Sequence, residues 1–185
     1  MKSEGAQAFY YGGATRGGGC TVRARMNGVF PAAEATPFFG ADGIAQDPGC
    51  VTEAAGNSVG IFATVPFVDA STRIDAAPLI AQFKTSFGSS ADYGPYALVA
   101  YDATAILYAA LHWAIRAAGG HLPDRGTVTS ELAQTSGFAG ATGNLGFDAA
   151  GDTTNRVVSI FEAGSGPRSP WKLVDTVDYS ARLPY

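Results

Sequence analysis

Apolar positions in the first third of the chain fall into short runs, each bounded by glycine or proline: residues 8–11 before Gly12, Phe38 and Phe39 before Gly40, and residues 59–66. The first two are each followed by a helix-compatible stretch. One begins at Gly19 or Cys20 and reaches Val29, weakened near its end by Gly28; the other covers 48–55, with Pro48 in the first turn, where its missing N–H is not needed. The third run is mostly β-branched and aromatic. Strand, glycine loop, helix and strand again is the rhythm of a parallel α/β sheet. The period then changes. Leu79, Ile80, Phe83 and Phe87 predict a helix over 78–87, and Leu98, Tyr101, Ile106, Leu111 and Ile115, with alanines between, predict one over 95–118. That second helix is apolar nearly all round, which implies burial with cover on more than one side, and Gly119 and Gly120 stop it. A shorter helix is expected over 127–134. Strands over 144–147 and 156–162 flank the turn sequence DAAGDTTN, and a last strand over 171–177 follows a turn at 164–170.

This pattern has two consequences. Ligands on parallel α/β sheets bind in the loops beyond the carboxyl ends of the strands. The two loops in question, 12–19 and 40–49, are rich in glycine, and the second carries Asp42. The predicted sheet also holds only about three parallel strands and a terminal hairpin, so the long apolar helix has no sheet to pack on. The pattern describes part of a larger fold.

Composition narrows the function classes. The chain has 185 residues, 46% hydrophobic and 15% charged, which suits a folded core. Net charge is -4 with no basic cluster, so nucleic acid is not an expected partner. No run approaches ~18 uninterrupted apolar residues, so no membrane span is expected, and the opening MKSEGAQA lacks the apolar core of a secretory signal. Cys20 and Cys50 each begin a predicted helix, one βα unit apart; a disulfide and a pair of buried or half-buried thiols are both open. No CxxC pair points to zinc. His112 and His121 are the only histidines, and His112 lies mid-helix among apolar residues. There is no GxSxG elbow. GGATRGGG is neither GxGxxG nor a phosphate-binding P-loop. Asp148 and Asp152 lack the spacing of a calcium loop and read as turn residues. No catalytic residue, metal or cofactor is expected.

The segments FYYGGAT, PFFGADGI, GIFATVPF, YGPYALVAYDATAILYAAL and GATGNLGFDAAGD, with RVVSIFEA and WKLVD at the end, occur in an order and spacing that resembles the type 1 periplasmic binding proteins. Within that family they resemble the branch that binds leucine, isoleucine and valine for ABC transporters. The resemblance covers about residues 6–178. It implies an α/β fold, specifically a partial type 1 periplasmic-binding-protein fold: a Rossmann-like parallel sheet with flanking helices, two lobes, and the N-terminal half missing. Residues 6–68 would be part of the second lobe (βαβαβ), 69–145 the helical part of the first lobe, and 146–185 the terminal strands returning to the second. Residues 68–75 would be a hinge crossing, and 143–157 the way back. The implied function is that of a receptor, not an enzyme. It would bind a branched-chain or related amino acid between the lobes and deliver it to a membrane permease. The parent protein would be periplasmic, or extracellular and membrane-anchored. An amide- or urea-responsive sensor on the same fold, and a non-binding truncated fragment, are the alternatives.

The resemblance also assigns site residues. Asp42 matches the acid that holds the ligand's ammonium, a role often filled by glutamate in relatives; read by itself, an Asp before this DG pair is a turn residue. Gly13, Ala14 and Thr15 match the loop that covers the ligand. Relatives often carry an aromatic where Ala14 stands, so a roomier pocket is implied. Gly12 and Gly13 would let backbone approach the ligand; an ordinary βα turn is the plainer reading. Tyr96 matches an aromatic lining the side-chain pocket, with Tyr93 a weaker candidate; core packing at the start of a long helix is the alternative for Tyr96. Tyr101 and Asp102 read as packing and capping groups. The family's carboxylate clamp lies in the missing half. One end of a zwitterion would stay unpaired, so binding by this chain alone is expected to be no tighter than ~10 micromolar.

Overall fold

The computed structural model describes residues 5–26, 28–30, 36–89, 94–165 and 171–180. In chain order the elements are β1 (Phe9–Tyr11), α1 (Gly19–Met26), β2 (Phe38–Gly40), α2 (Pro48–Glu53), β3 (Ile61–Val65), α3 (Ala77–Phe87), α4 (Ala97–Ala117), α5 (Arg125–Ala133), β4 (Phe138–Gly140), β5 (Gly143–Leu145), β6 (Val157–Glu162) and β7 (Lys172–Asp178). They form two compact units. The first is Met1–Pro66 with Val158–Val177; the second is Phe67–Val157 with Asp178–Tyr185.

The first unit is a five-stranded sheet in the order β1-β2-β3-β6-β7. β1, β2 and β3 are parallel, with Phe9 opposite Phe38 and Phe38 opposite Ile61. β6 joins β3 antiparallel, placing Phe161 opposite Ala63. Strand alternation sets the core: Ile61, Ala63 and Val65 are buried while Phe62 and Thr64 between them are half-buried. Phe38, Phe161, Ile44, Val51 and Ala54 complete the apolar interior.

Two features hold the helices to this sheet. Cys20 and Cys50 form a disulfide, and both are fully buried, which settles the alternative left open by the sequence. Arg23 is fully buried as well. Its Nε donates to Asn57 O (2.9 Å), Nη1 to Thr36 O (2.8 Å) and Nη2 to Val59 O (2.6 Å). These carbonyls lie in the segments that lead into β2 and β3, so one guanidinium fork gathers both strand entries under α1. Burial pushes its pKa below the ordinary arginine value. α1 stops at Met26 rather than reaching Val29, since Gly28 adopts a left-handed φ of 80°.

In the second unit, α4 buries one face. Leu98, Asp102, Ile106, Ala110 and Ala114, spaced four apart, form its buried face. Tyr101, expected to pack, is 54% exposed. The strand over 144–147 also finds a different partner. Residues Gly143–Leu145 pair with β4, so that Phe138 lies opposite Leu145, and 156–162 pairs instead with β3. The expected turn between them is present, closed by a bridge between Phe147 and Thr153. Asp148 organises that turn. The Asp152 N–H, with help from the Ala150 N–H and Arg156, holds the Asp148 carboxyl below the usual aspartate range.

Asp102 explains the β4–β5 pairing. Its Oδ1 accepts from Ala141 N (2.8 Å), and its Oδ2 from Thr142 N (2.8 Å) and Thr142 Oγ1 (2.6 Å). The buried carboxylate therefore clamps the hairpin turn onto α4, a tie between residues about forty apart that strand alternation cannot reveal. Asp102→Ala leaves two amides and a hydroxyl without their acceptor. We expect a loss of about 3 kcal/mol, read by urea unfolding, with faster amide exchange at Ala141 and Thr142. Unchanged exchange at those two amides would rule the clamp out.

Candidate ligand-binding loops

The carboxyl ends of β1 and β2 open into the two loops singled out from the sequence. The first is built around Tyr11, the last residue of β1. A Cβ on Gly13 would lie 2.7 Å from the Tyr11 ring, and a Cβ on Gly17 or Gly19 would overlap it. Tyr11 Oη donates to Ala14 O at 3.0 Å. The glycines of this loop thus make room for a tyrosine. Packing supplies a reason of its own for Gly13, whose bare Cα faces Tyr11, whereas a Cβ on Gly12 would meet only the edge of Tyr10 at an ordinary 3.5 Å.

The second loop turns tightly, with Ile44 N donating to Ala41 O and Ala45 N to Asp42 O, both at 3.2 Å. Asp42 therefore occupies a turn position and is exposed. Gln46 takes a left-handed φ of 57°, uncommon outside glycine. Asp47 ends the loop as the N-cap of α2, its Oδ1 accepting from Gly49 N at 2.7 Å. Trp171, entering β7, donates its Nε1–H to Asp47 O at 3.1 Å and so ties the loop to the far edge of the sheet.

The two loops touch. Thr15 N donates to Gly43 O at 3.1 Å. A Cβ on Gly43 would fall 2.8 Å from Gly13 O and 2.9 Å from Ala14 Cα, so only glycine permits this approach. Gly13, Ala14 and Thr15 are thereby gathered against Gly43, which follows Asp42 in the chain. Ala14 is exposed, while Thr15 is 5% exposed and its Oγ1 has no hydrogen-bond partner among the described residues. A buried hydroxyl without a partner is costly and uncommon. The disulfide closes just behind, joining the helices that leave the two loops.

Tyr96, the fifth candidate, belongs to the other unit. It immediately precedes α4, is 43% exposed, and sets its ring edge-to-face on Phe67 with centroids 5.4 Å apart. Tyr93 lies outside the described residues. Sequence reasoning passed over Tyr11 and Trp171. The signal for Tyr11 was present, in a tyrosine followed by glycines at 13, 17 and 19. Nothing local marks Trp171, whose partner is more than a hundred residues away. Among the described residues no group of three or more His, Cys, Asp or Glu could hold a metal ion.

No protein-family model matches the chain, and no curated protein matches its sequence. Solved structures do match it. A leucine-binding protein, LivK, from Thermotoga maritima is 18% identical with a TM-score of 0.73, over 93% of this chain and 45% of that one. A type 1 periplasmic binding protein from Bordetella pertussis is 18% identical with a TM-score of 0.66, over 94% and 48%. A solute-binding protein of an ABC transporter from Rhodopseudomonas palustris, in complex with p-hydroxybenzoic acid, is 16% identical with a TM-score of 0.68, over 96% and 46%. The chain thus spans about half the length of the structures it matches.

Proposed function

We propose, from the partial type 1 periplasmic-binding-protein fold that the chain has, that it carries one side of a ligand site belonging to the solute receptor of an ABC transporter. One observation carries the reading: the loops after β1 and β2 are joined through Thr15 N and Gly43 O, with exposed Asp42 and the unpartnered Thr15 hydroxyl at the junction. This is the crevice position that parallel sheets use for ligands. An ammonium group needs a carboxylate and further acceptors when it leaves water, and Asp42 supplies the first. The ligand class is a branched-chain or related amino acid. Gly13, Ala14 and Thr15 would lie against it, and Tyr96 would line the side-chain pocket from the other lobe.

In this reading the first unit is part of the second lobe and the helical stretch over 69–145 part of the first. The remaining half of the fold supplies the carboxylate clamp, and a membrane permease receives the ligand. The site of action is the periplasm or the cell exterior, a compartment that suits the Cys20–Cys50 disulfide. Ala14, small and exposed where relatives often carry an aromatic, favours a second reading, an aromatic carboxylate such as the p-hydroxybenzoic acid bound by the Rhodopseudomonas protein.

The test is a titration of the isotopically labelled chain, followed by amide chemical shifts, with leucine, isoleucine, valine and 4-hydroxybenzoate. Leucine or isoleucine is expected to move the amides of residues 12–15 and 42–43, with a Kd weaker than ~10 micromolar. Asp42→Asn should abolish the response and leave the rest of the spectrum in place. No movement in either loop with any ligand would end the reading, and a response to 4-hydroxybenzoate alone would transfer it to aromatic acids. A tighter Kd would remove the half-site argument.

A further inference from the structure

We propose that Asp42–Gly43 is a self-modifying pair, whose backbone slowly rearranges to an isoaspartyl link that takes apart the junction of the two loops. It is the only Asp–Gly pair in the chain. An aspartyl side chain is open to attack by the amide nitrogen of the residue after it. A side chain on that next residue obstructs the approach, so glycine reacts fastest. Glycine is what the fold demands here, because a Cβ at position 43 would fall 2.8 Å from Gly13 O. The close contact between the loops thus fixes the residue that makes the neighbouring acid labile.

The folded loop favours the reaction. Asp42 and Gly43 are both exposed. The Gly43 N–H donates to no described residue, whereas the Gly43 carbonyl accepts from Thr15 N. The attacking nitrogen is therefore not held elsewhere. For it to reach the side chain, the turn has to open, and the turn is closed by long hydrogen bonds. Ile44 N to Ala41 O and Ala45 N to Asp42 O are both 3.2 Å, and Asp47 N to Ile44 O is 3.4 Å. An exposed turn held this way opens locally while the rest of the unit stays folded.

The steps balance with water as the only co-reactant. Gly43 N loses its proton and bonds to Asp42 Cγ, the Cγ–OH bond breaks, and one water leaves behind a five-membered succinimide. Closure between adjacent residues needs no encounter. Water then opens the ring. Attack at Cγ returns aspartate, and attack at the backbone carbonyl carbon leaves the chain running through Cβ and Cγ. The main chain is then one methylene longer, and the free carboxylate sits directly on Cα. The close approach at Gly43 leaves no room for that methylene, so the bond from Thr15 N to Gly43 O is lost. The carboxylate also loses the reach that would serve a ligand's ammonium. That last consequence rests on the receptor reading, and the rearrangement itself does not.

The test is warm incubation of the full chain at neutral pH, followed by reduction and cleavage after Glu34 and Glu53. The fragment 35–53 holds Asp42 and, as an internal control, Asp47, whose successor Pro48 has no N–H to attack. It leaves out Asn27–Gly28, a pair that rearranges by the same route with loss of ammonia. Electron-transfer fragmentation, which splits the Cα–Cβ bond of isoaspartate, should find it at 42 in at least ~10-fold excess over 47. Asp42→Glu, which would need a six-membered ring, should form at least ~10-fold less. The separated isoaspartyl chain should stay folded and exchange its Thr15 amide at least ~10-fold faster. A native chain that stays unchanged while a urea-unfolded one rearranges overturns the inference, as does an isoaspartyl form with Thr15 still protected. Leucine should slow the rearrangement. If isoaspartate forms at the same rate with leucine present, the receptor reading fails and this inference stands.

Discussion

Replacing Arg23 with methionine should lower the stability of the first unit by about 3 kcal/mol. Methionine can fill much of the space, so the cost is chiefly polar. The three carbonyls now served by the guanidinium would lose that donor, and the one on Thr36 is bonded in a buried setting. Charge-assisted hydrogen bonds contribute about 1.5–3 kcal/mol each, and the two bonds nearer solvent contribute least because water can replace them. Desolvation of the cation, visible in its lowered pKa, subtracts from the total. Arg23→Lys should recover only part, because an ammonium cannot present the planar fork that reaches Asn57, Thr36 and Val59 together. Urea titration followed by tryptophan fluorescence is the measurement, Trp171 being bonded within this unit. A loss below about 1 kcal/mol for methionine would mean that the strand entries hold themselves and the arginine is passive.

Removing the disulfide should have an effect of similar size by a different route. The bridge closes a loop across a sequence separation of 30. The chain-entropy account gives about 3.6 kcal/mol for such a loop, acting mainly on the unfolded state. The double substitution Cys20→Ser, Cys50→Ser, or full reduction, should therefore lower the melting temperature of a unit this size by roughly 15–30 °C. Both cysteines are fully buried, so reduction of the native protein should be slow and should speed up with denaturant. A shift of only about 1–2 °C would show that the unfolded chain is already restrained between these helices. The loops themselves should loosen too, since the bridge sits directly behind the Thr15–Gly43 contact.

The parts legible in the sequence were those encoded by neighbours. The three parallel strands, α1 and α2 behind their glycine loops, and α3, α4 and α5 follow from periodicity, proline and glycine, and their ends agree within a few residues. So does the 148–152 turn, because Asp, Gly and Asn bend the chain wherever they cluster. The acid at Asp42 and the resemblance of its loop were equally local.

What only the tertiary structure decided depended on distant partners. Which side of α4 is buried cannot be read from a helix apolar on every side, and the clamp of Asp102 on Thr142 selects it. Residues 143–145 alternate no better than many loops, and they become a strand because β4 lies beside them. That glycines 13, 17 and 19 leave room for the Tyr11 ring, brought back over them, is visible only in the fold. Thr15 is an ordinary threonine in sequence; in the fold its hydroxyl is buried with no hydrogen-bond partner among the described residues, beside the approach that Gly43 permits between the two loops. Periodicity and turn chemistry act over a few residues and so are written along the chain. Partners, burial and the junction of two loops are set by contacts across the fold, which no local pattern encodes.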